Sequence, residues 1–124
     1  MRKLTITFLT IVFCLTSSIA FSKTVAPTDL VERNGITYKK FSNKPYSGVA
    51  ETYFYNGQLN RIETYKDGKK EGVEEWYDEN GKLWMKGTYK DGKKDGVVEW
   101  YHENGRLVKK FTYKNGELIK EEKF

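Results

Sequence analysis

The chain has 124 residues, room for one small domain, and is 38% hydrophobic, 31% charged and 15% aromatic. Leu, Ile and Val are sparse over most of its length, which argues against an aliphatic two-layer core and leaves Tyr, Trp and Phe to provide the buried area. Formal net charge is +5, of which Arg2 and Lys3 supply two, so +3 remains on residues 23–124. The lysines alternate with Glu and Asp rather than forming a basic stripe, so no nucleic-acid partner is expected.

Residues 1–22 read as a signal peptide. Met1-Arg2-Lys3 is a basic head, Leu4 to Leu15 is an apolar run, and small residues at Ala20 and Ser22 fit a signal-peptidase site after Ser22, with a cut after Ala20 as the alternative. The run is short for a bilayer span, which takes about 20 residues. The expected destination is outside the cytoplasm: periplasmic, cell-surface or secreted. Cys14 is the single cysteine. It lies in the apolar run behind Val12-Phe13, which is wrong for lipidation, so the exported chain has no disulfide and no Cys-based metal site or nucleophile.

Residues 23–28 read as a linker, and 29–47 as a degenerate β unit. In the latter, Asn34-Gly35 marks a turn, Ile36-Thr37-Tyr38 a strand, and Pro45-Tyr46-Ser47-Gly48 a turn into the first full unit. From Gly48 the chain repeats without gaps at a period of 24, in units 48–71, 72–95 and 96–119. Gly-Val opens each unit (48/49, 72/73, 96/97), and Glu51, Glu75 and Glu99 recur, as do Tyr53, Tyr77 and Tyr101. Asn-Gly comes next at 56/57, 80/81 and 104/105, then Leu59, Leu83 and Leu107, and Thr-Tyr-Lys ending at Lys66, Lys90 and Lys114. Residues 120–124 form a charged tail that extends or caps the last strand.

Each unit holds two turn signals, Asn-Gly and Lys-Asp-Gly (Lys-Asn-Gly in the third), between runs rich in β-branched and aromatic residues. This spacing predicts an all-β, antiparallel meander of tandem β-hairpins, an elongated, twisted single-layer sheet behind a signal-peptide helix. Equivalent side chains then recur on every second strand, about 9.6 Å apart. A two-residue Asn-Gly turn pairs Asp78 with Leu83 and puts Trp76 on the Leu face. A three-residue turn including Glu79 pairs Tyr77 with Leu83, and is favoured because it gathers Val73, Tyr77, Leu83, Met85 and Tyr89. Glutamate meets a basic residue in most pairings of either register, so charge does not arbitrate.

Tyr-x-x-Gly-Lys-x-x-Gly at Tyr65 to Gly72, followed by Tyr77-Asp78-Glu79-Asn80-Gly81-Lys82-Leu83, resembles the MORN-repeat-variant family, whose members include YwqK-type antitoxins; the motif recurs from Tyr89 to Leu107. The lead-in from Leu30 to Tyr38, then Lys44 to Gly48, is also similar to family members. The resemblance covers roughly residues 29–119 and implies β-hairpin sheets, scaffolding roles in larger relatives and, from the antitoxin label, a toxin as protein partner. With an export segment, such a protein acts outside the cytoplasm, as an immunity protein does.

Little in the composition suggests an enzyme, and no cofactor or metal is expected. His102, the only histidine, stands where the other units have Phe54 and Asp78, so the repeat has no need of an imidazole there. Asp78-Glu79 and Glu74-Glu75 sit among lysines beside tight turns, where solvation and cross-strand pairing account for them. Asp67-Gly68 and Asp91-Gly92 lack the successive oxygen ligands of a calcium loop. The aromatics are the candidate partner-binding residues: Tyr53, Trp76, Tyr77, Trp84, Trp100 and Tyr101. One sheet cannot bury both of its faces, so some of this area stays exposed or meets another molecule. The expected function is a binding module for a protein; the alternative is recognition of envelope glycan or lipid headgroups through aromatics and lysines.

Overall fold

The computed structural model describes residues 24–124, so the signal peptide, its helix and its cleavage site lie outside the described residues. The strands are β1 (Thr24–Val25), β2 (Leu30–Arg33), β3 (Ile36–Lys39), β4 (Gly48–Tyr53), β5 (Leu59–Lys66), β6 (Lys69–Lys70), β7 (Gly72–Tyr77), β8 (Leu83–Lys90), β9 (Lys93–Lys94), β10 (Gly96–Tyr101), β11 (Leu107–Lys114) and β12 (Glu117–Lys123). One sheet runs β1-β4-β5-β7-β8-β10-β11-β12, with β6 and β9 hydrogen-bonded to β5 and β8. All its pairings are antiparallel except β1 with β4. Strands β2 and β3 form a separate hairpin.

The Asn-Gly loops take the three-residue form. Asp78 N–H donates to the Lys82 carbonyl at 2.8 Å, leaving Glu79-Asn80-Gly81 as the loop, and Tyr77 pairs with Leu83. Gly81 supplies the left-handed residue at φ 81°. The ladder then slips, because Trp76 pairs with Met85 and Trp84 is an extra residue on β8. A bulge moves everything beyond it to the other face. Val73 therefore opposes Thr88, Met85 opposes Trp76, and Tyr89 opposes Gly72. The expected gathering of Val73, Tyr77, Leu83, Met85 and Tyr89 does not occur. The same bulge lies at Thr52/Tyr53 and Trp100/Tyr101.

The second reversal is a two-residue turn with both residues at positive φ: 49° and 81° at Asp67-Gly68 and again at Asp91-Gly92. These turns stack along one edge of the sheet. Gly68 N–H reaches the Tyr46 carbonyl (2.7 Å), Gly92 that of Lys70 (2.9 Å) and Gly116 that of Lys94 (2.8 Å). A side chain one position on takes the neighbouring amide: Ser47 Oγ accepts from Asp67 N–H, Glu71 from Asp91 and Asp95 from Asn115.

The lead-in hairpin docks on the first of these turns. Thr37 N–H donates to the Gly68 carbonyl at 2.8 Å, and Tyr46 N–H to that of Thr37 at 2.8 Å. Residues 23–28 are not a linker over their described part. Thr24 and Val25 pair with Val49 and Ala50, and Pro27–Asp29 is a 3-10 turn. This pairing covers part of the β4 edge, whose main-chain groups otherwise stand open. The tail belongs to β12, which runs along β11 from Lys114 to Lys109. Burial is thin: among the described residues the buried apolar side chains are Tyr46, Ala50 and Val98, joined by the buried Glu63 and Glu74.

Candidate functional site

Residues directly opposite in a ladder share a face. Ala50 with Glu63, Glu74 with Gly87, and Val98 with Phe111 therefore define one face, which also carries Trp76 with Met85 and Trp100 with Lys109. The opposite face carries Glu51, Glu75 and Glu99, together with Tyr53, Tyr77 and Tyr101 two residues on in the same strands. The six candidate aromatics thus divide, with the tryptophans on one side and the tyrosines on the other.

The tryptophans form a continuous ladder. Trp76 and Trp84 meet edge to face at 5.8 Å between centroids, Trp84 and Trp100 at 5.8 Å, and Trp100 and Phe111 at 6.1 Å. The ring contact places Trp84, the extra residue of the bulge, on the side of Trp76, and the slip adds Met85 to that side opposite Trp76. Edge-to-face geometry sets positive ring edges against negative faces, so each contact adds to simple burial. The Arg61 guanidinium lies 4.6 Å over Trp76 and closes one end. Trp76 and Trp84 are half-buried, whereas Trp100 keeps 42% of its surface exposed. Phe111 was not among the sequence candidates. Its signal was a substitution within the repeat, Phe where the other units have Glu63 and Gly87.

On the other face each tyrosine hydroxyl donates to the glutamate two residues before it: Tyr53 to Glu51, Tyr77 to Glu75 and Tyr101 to Glu99. Burial and the Glu75 hydrogen bond push the Tyr77 phenol up to about 12, and the Glu99 bond followed by burial does the same for Tyr101. Tyr53 is raised by its bond to Glu51 and is 55% exposed. A shallow cavity of about 460 Å³ between neighbouring hairpin loops is lined by Leu83, Tyr101 and the polar loop residues Lys82, Glu103, Asn104 and Gly105.

Beside the tryptophan ladder lies a cluster that sequence reasoning missed. Lys70 Nζ bridges Glu63 at 2.6 Å and Glu74 at 3.2 Å, and Arg61 reaches Glu63 at 3.2 Å. Burial lowers the Lys70 pKa, but Glu63 and Glu74 outweigh it and the net shift is upward. Burial chiefly, with Glu74 adding to it, raises Tyr89 to about 12. Two positive and two negative groups thus neutralise one another inside the sheet face. Their signal was again departure from the repeat: Glu63 replaces Gly or Phe, and Glu74 replaces Ala or Val.

Glu74 and Glu75 point to opposite faces, as neighbours in a strand must, so they do not form an acid/base pair. His102 occupies the loop-closing position, its N–H donating to the Arg106 carbonyl at 2.8 Å, and is exposed. Among the described residues no three His, Cys, Asp or Glu side chains are grouped to hold a metal ion.

Comparison with known proteins agrees with this geometry on one point. A family model described as the MORN repeat variant matches residues 46–67, 70–91 and 94–115, more than half of the chain. Each matched segment starts at the residue whose carbonyl accepts the glycine N–H of the stacked turn. No curated protein and no solved structure matches the chain.

Proposed function

This chain belongs to the MORN-repeat-variant family, and on that footing we propose that it is an exported, non-enzymatic module that binds a protein partner through the face carrying Trp76, Trp84 and Trp100. The carrying observation is the continuous aromatic ladder from Trp76 to Phe111, within which Trp100 stays 42% exposed. Binding hot spots are rich in Trp, Tyr and Arg held in well-packed surroundings. Here Arg61 and three tryptophans are prearranged by contacts among themselves, so little side-chain freedom is lost on binding.

Several features support the rest of the reading. The buried carboxylates among the described residues, Glu63 and Glu74, are engaged with Lys70, and the buried Tyr46 hydroxyl donates to the Val49 carbonyl at 2.8 Å, so each of these groups is already held by a structural partner. Export rests on the basic head, apolar run and small residues before position 23. The partner's class is a protein; a toxin outside the cytoplasm is the kind that the antitoxin resemblance implies. Recognition of glycan or lipid headgroups is the competing reading, and the tyrosine face with Lys86 and Lys110 is where it acts.

The test is capture from the native envelope fraction with the wild-type chain, Trp100→Ala and Tyr53→Ala, read by mass spectrometry. A stoichiometric protein should survive high salt on wild type and Tyr53→Ala and be lost on Trp100→Ala. Loss on Tyr53→Ala alone moves the site to the other face. Salt-sensitive retention on anionic vesicles or peptidoglycan, with no protein captured, overturns the reading.

A further inference from the structure

Five Asn-Gly pairs stand in the chain, at 34/35, 56/57, 80/81, 104/105 and 115/116. The pair suits tight turns because both residues tolerate positive φ. It is also the chemically weakest dipeptide of a chain, because the glycine nitrogen, unshielded by a Cβ, can attack the asparagine side-chain carbonyl. Attack requires the glycine amide to give up its proton, and a hydrogen bond donated by that N–H favours the protonated form. The fate of each pair therefore turns on whether its glycine N–H has an acceptor.

Four of the five have one. In the three-residue loops the N–H groups of Gly57, Gly81 and Gly105 donate to the carbonyls of Phe54, Asp78 and His102 at 3.0, 3.0 and 2.8 Å. Two of these asparagines are held by their side chains as well: Asn56 Oδ1 accepts from Gln58 N–H and Asn104 Oδ1 from Arg106 N–H, each at 2.9 Å. In the last stacked turn Gly116 N–H donates to the Lys94 carbonyl at 2.8 Å. The fifth pair is different. Gly35 N–H and the Asn34 side chain form no hydrogen bond with any described residue, and both residues are exposed.

Asn34-Gly35 and Asn115-Gly116 isolate the cause. Each pair is exposed and forms a two-residue turn with nearly the same backbone, φ 52° and 77° against 50° and 83°. They differ in what lies beside the turn. Gly116 rests on Lys94 of the preceding turn, with Lys93 Cβ 3.7 Å from its Cβ position. The lead-in hairpin docks through Thr37, and its tip projects past that contact, with nothing within 4 Å of the Cβ position of Gly35.

We propose that Asn34 is a self-modification site, at which the folded protein deamidates ahead of its other Asn-Gly pairs. The Gly35 nitrogen, its proton taken up by water or hydroxide, attacks Asn34 Cγ. The tetrahedral adduct regains that proton on the side-chain nitrogen, which leaves as ammonia, and a cyclic succinimide remains. Water then opens the ring at either carbonyl to give isoaspartate or aspartate, so one water is consumed for each ammonia released. The product carries a new carboxylate at the hairpin tip, in a shallow opening that Gly35 lines with Glu32, Thr37, Lys69 and Lys93. Isoaspartate also adds a main-chain carbon between Arg33 and Ile36, so the turn loses the length that pairs them. The change is confined to the lead-in hairpin, since the repeats keep their asparagines.

The experiment incubates the full chain in mildly alkaline buffer, folded and in urea, and follows each Asn-Gly peptide by mass spectrometry. In the folded chain Asn34 should deamidate about tenfold faster than Asn115, the factor that one hydrogen bond of ordinary net strength sets on releasing the amide proton. Urea removes the acceptors, so there the lead of Asn34 should close. Hydrogen exchange of the folded chain should rank the same amides, with Gly35 fast and Gly116 protected. If Asn34 is no faster than Asn115 in the folded chain, or Gly35 is as protected as Gly116, the proposal is overturned. A lead that persists unchanged in urea overturns it too, because flanking sequence and not the Lys94 carbonyl would then set the order.

Discussion

Lys70 Nζ lies between Glu63, at 2.6 Å, and Glu74, at 3.2 Å, and 5.0 Å above the ring of Tyr89. The two carboxylates are only 5% and 4% exposed, and Lys70 is what makes their burial tolerable. Truncating Lys70 leaves Glu74 buried without its ion-pair partner and Glu63 with Arg61 alone, and breaking a buried ion pair costs about 3 kcal/mol or more. Lys70→Ala should therefore destabilise the fold by that order in denaturant titration. The third unit solves the same place with Val98 and Phe111. A Glu63→Leu, Lys70→Met, Glu74→Val triple variant should accordingly recover most of the loss, and failure to recover would show that the charges themselves specify the packing.

Glu71 Oε2 accepts the Asp91 N–H at 2.8 Å across 20 residues of chain. It ties one turn to the next, as Asp95 does for Asn115 and Ser47 for Asp67. Glu71→Ala removes the acceptor at an exposed site, where a hydrogen bond is worth about 1 kcal/mol. The expected result is faster hydrogen exchange at Asp91 with a small fall in overall stability. Glu71→Gln retains an oxygen and should protect the amide nearly as well. Equal exchange in all three proteins would mean that water already serves this amide.

Much of this architecture is legible in the sequence because Gly and Asn-Gly act locally. The period of 24 and the places of the two reversals follow from residues that tolerate positive φ, whereas the three-residue Asn-Gly loop was favoured for a gathering of side chains that the bulge prevents. What the sequence did not disclose was the bulge opposite Trp76. A bulge is a register event between strands; it recurs with Asn60 and Val108 as the extra residue in place of Trp84, so no single residue announces it. Its consequence is large, since it put Met85 and Tyr89 with the tryptophans and separated both from Tyr77. The Lys70 cluster was missed for a related reason: repeat reading rewards identity, while Glu63 and Glu74 matter as exceptions. Thr24–Val25 looked like linker because two residues carry no pattern of their own, only a partner edge.

Gly68 and Gly92 occupy the same turn position with the same φ of 81°. An alanine is strained equally at both, by about 1–2 kcal/mol for an L-residue in that region. Their surroundings differ. A Cβ on Gly68 falls 2.3 Å from Ile36 Cγ2 and 2.9 Å from the Thr37 carbonyl, whereas on Gly92 the nearest atom is Lys69 Cβ at 3.9 Å. Gly68→Ala should therefore cost clearly more than Gly92→Ala and also release the lead-in hairpin, seen as faster exchange of the Thr37 and Tyr46 amides. The difference between the two variants isolates the docking of the hairpin from backbone strain. Equal costs would place the lead-in outside the cooperative unit.

The tyrosine–glutamate pairs give the protein an alkaline signature. Tyr77, Tyr89 and Tyr101 each have a phenol raised to about 12 from the ordinary 10.0. A raised phenol means that the folded state holds its proton more tightly than the unfolded chain. The associated stability is fully present below pH about 10 and is lost as pH rises from there through about 12. Absorbance titration of phenolate should show these three ionising late, and denaturant midpoints should fall across the same interval. The causes differ in order, and this separates the sites. For Tyr101 the Glu99 hydrogen bond leads, whereas for Tyr77 burial leads and Glu75 follows. Glu99→Gln should thus lower the Tyr101 phenol further than Glu75→Gln lowers that of Tyr77. The opposite order would mean that Tyr101 is held by burial after all, and that the last repeat is better covered than its exposed position suggests.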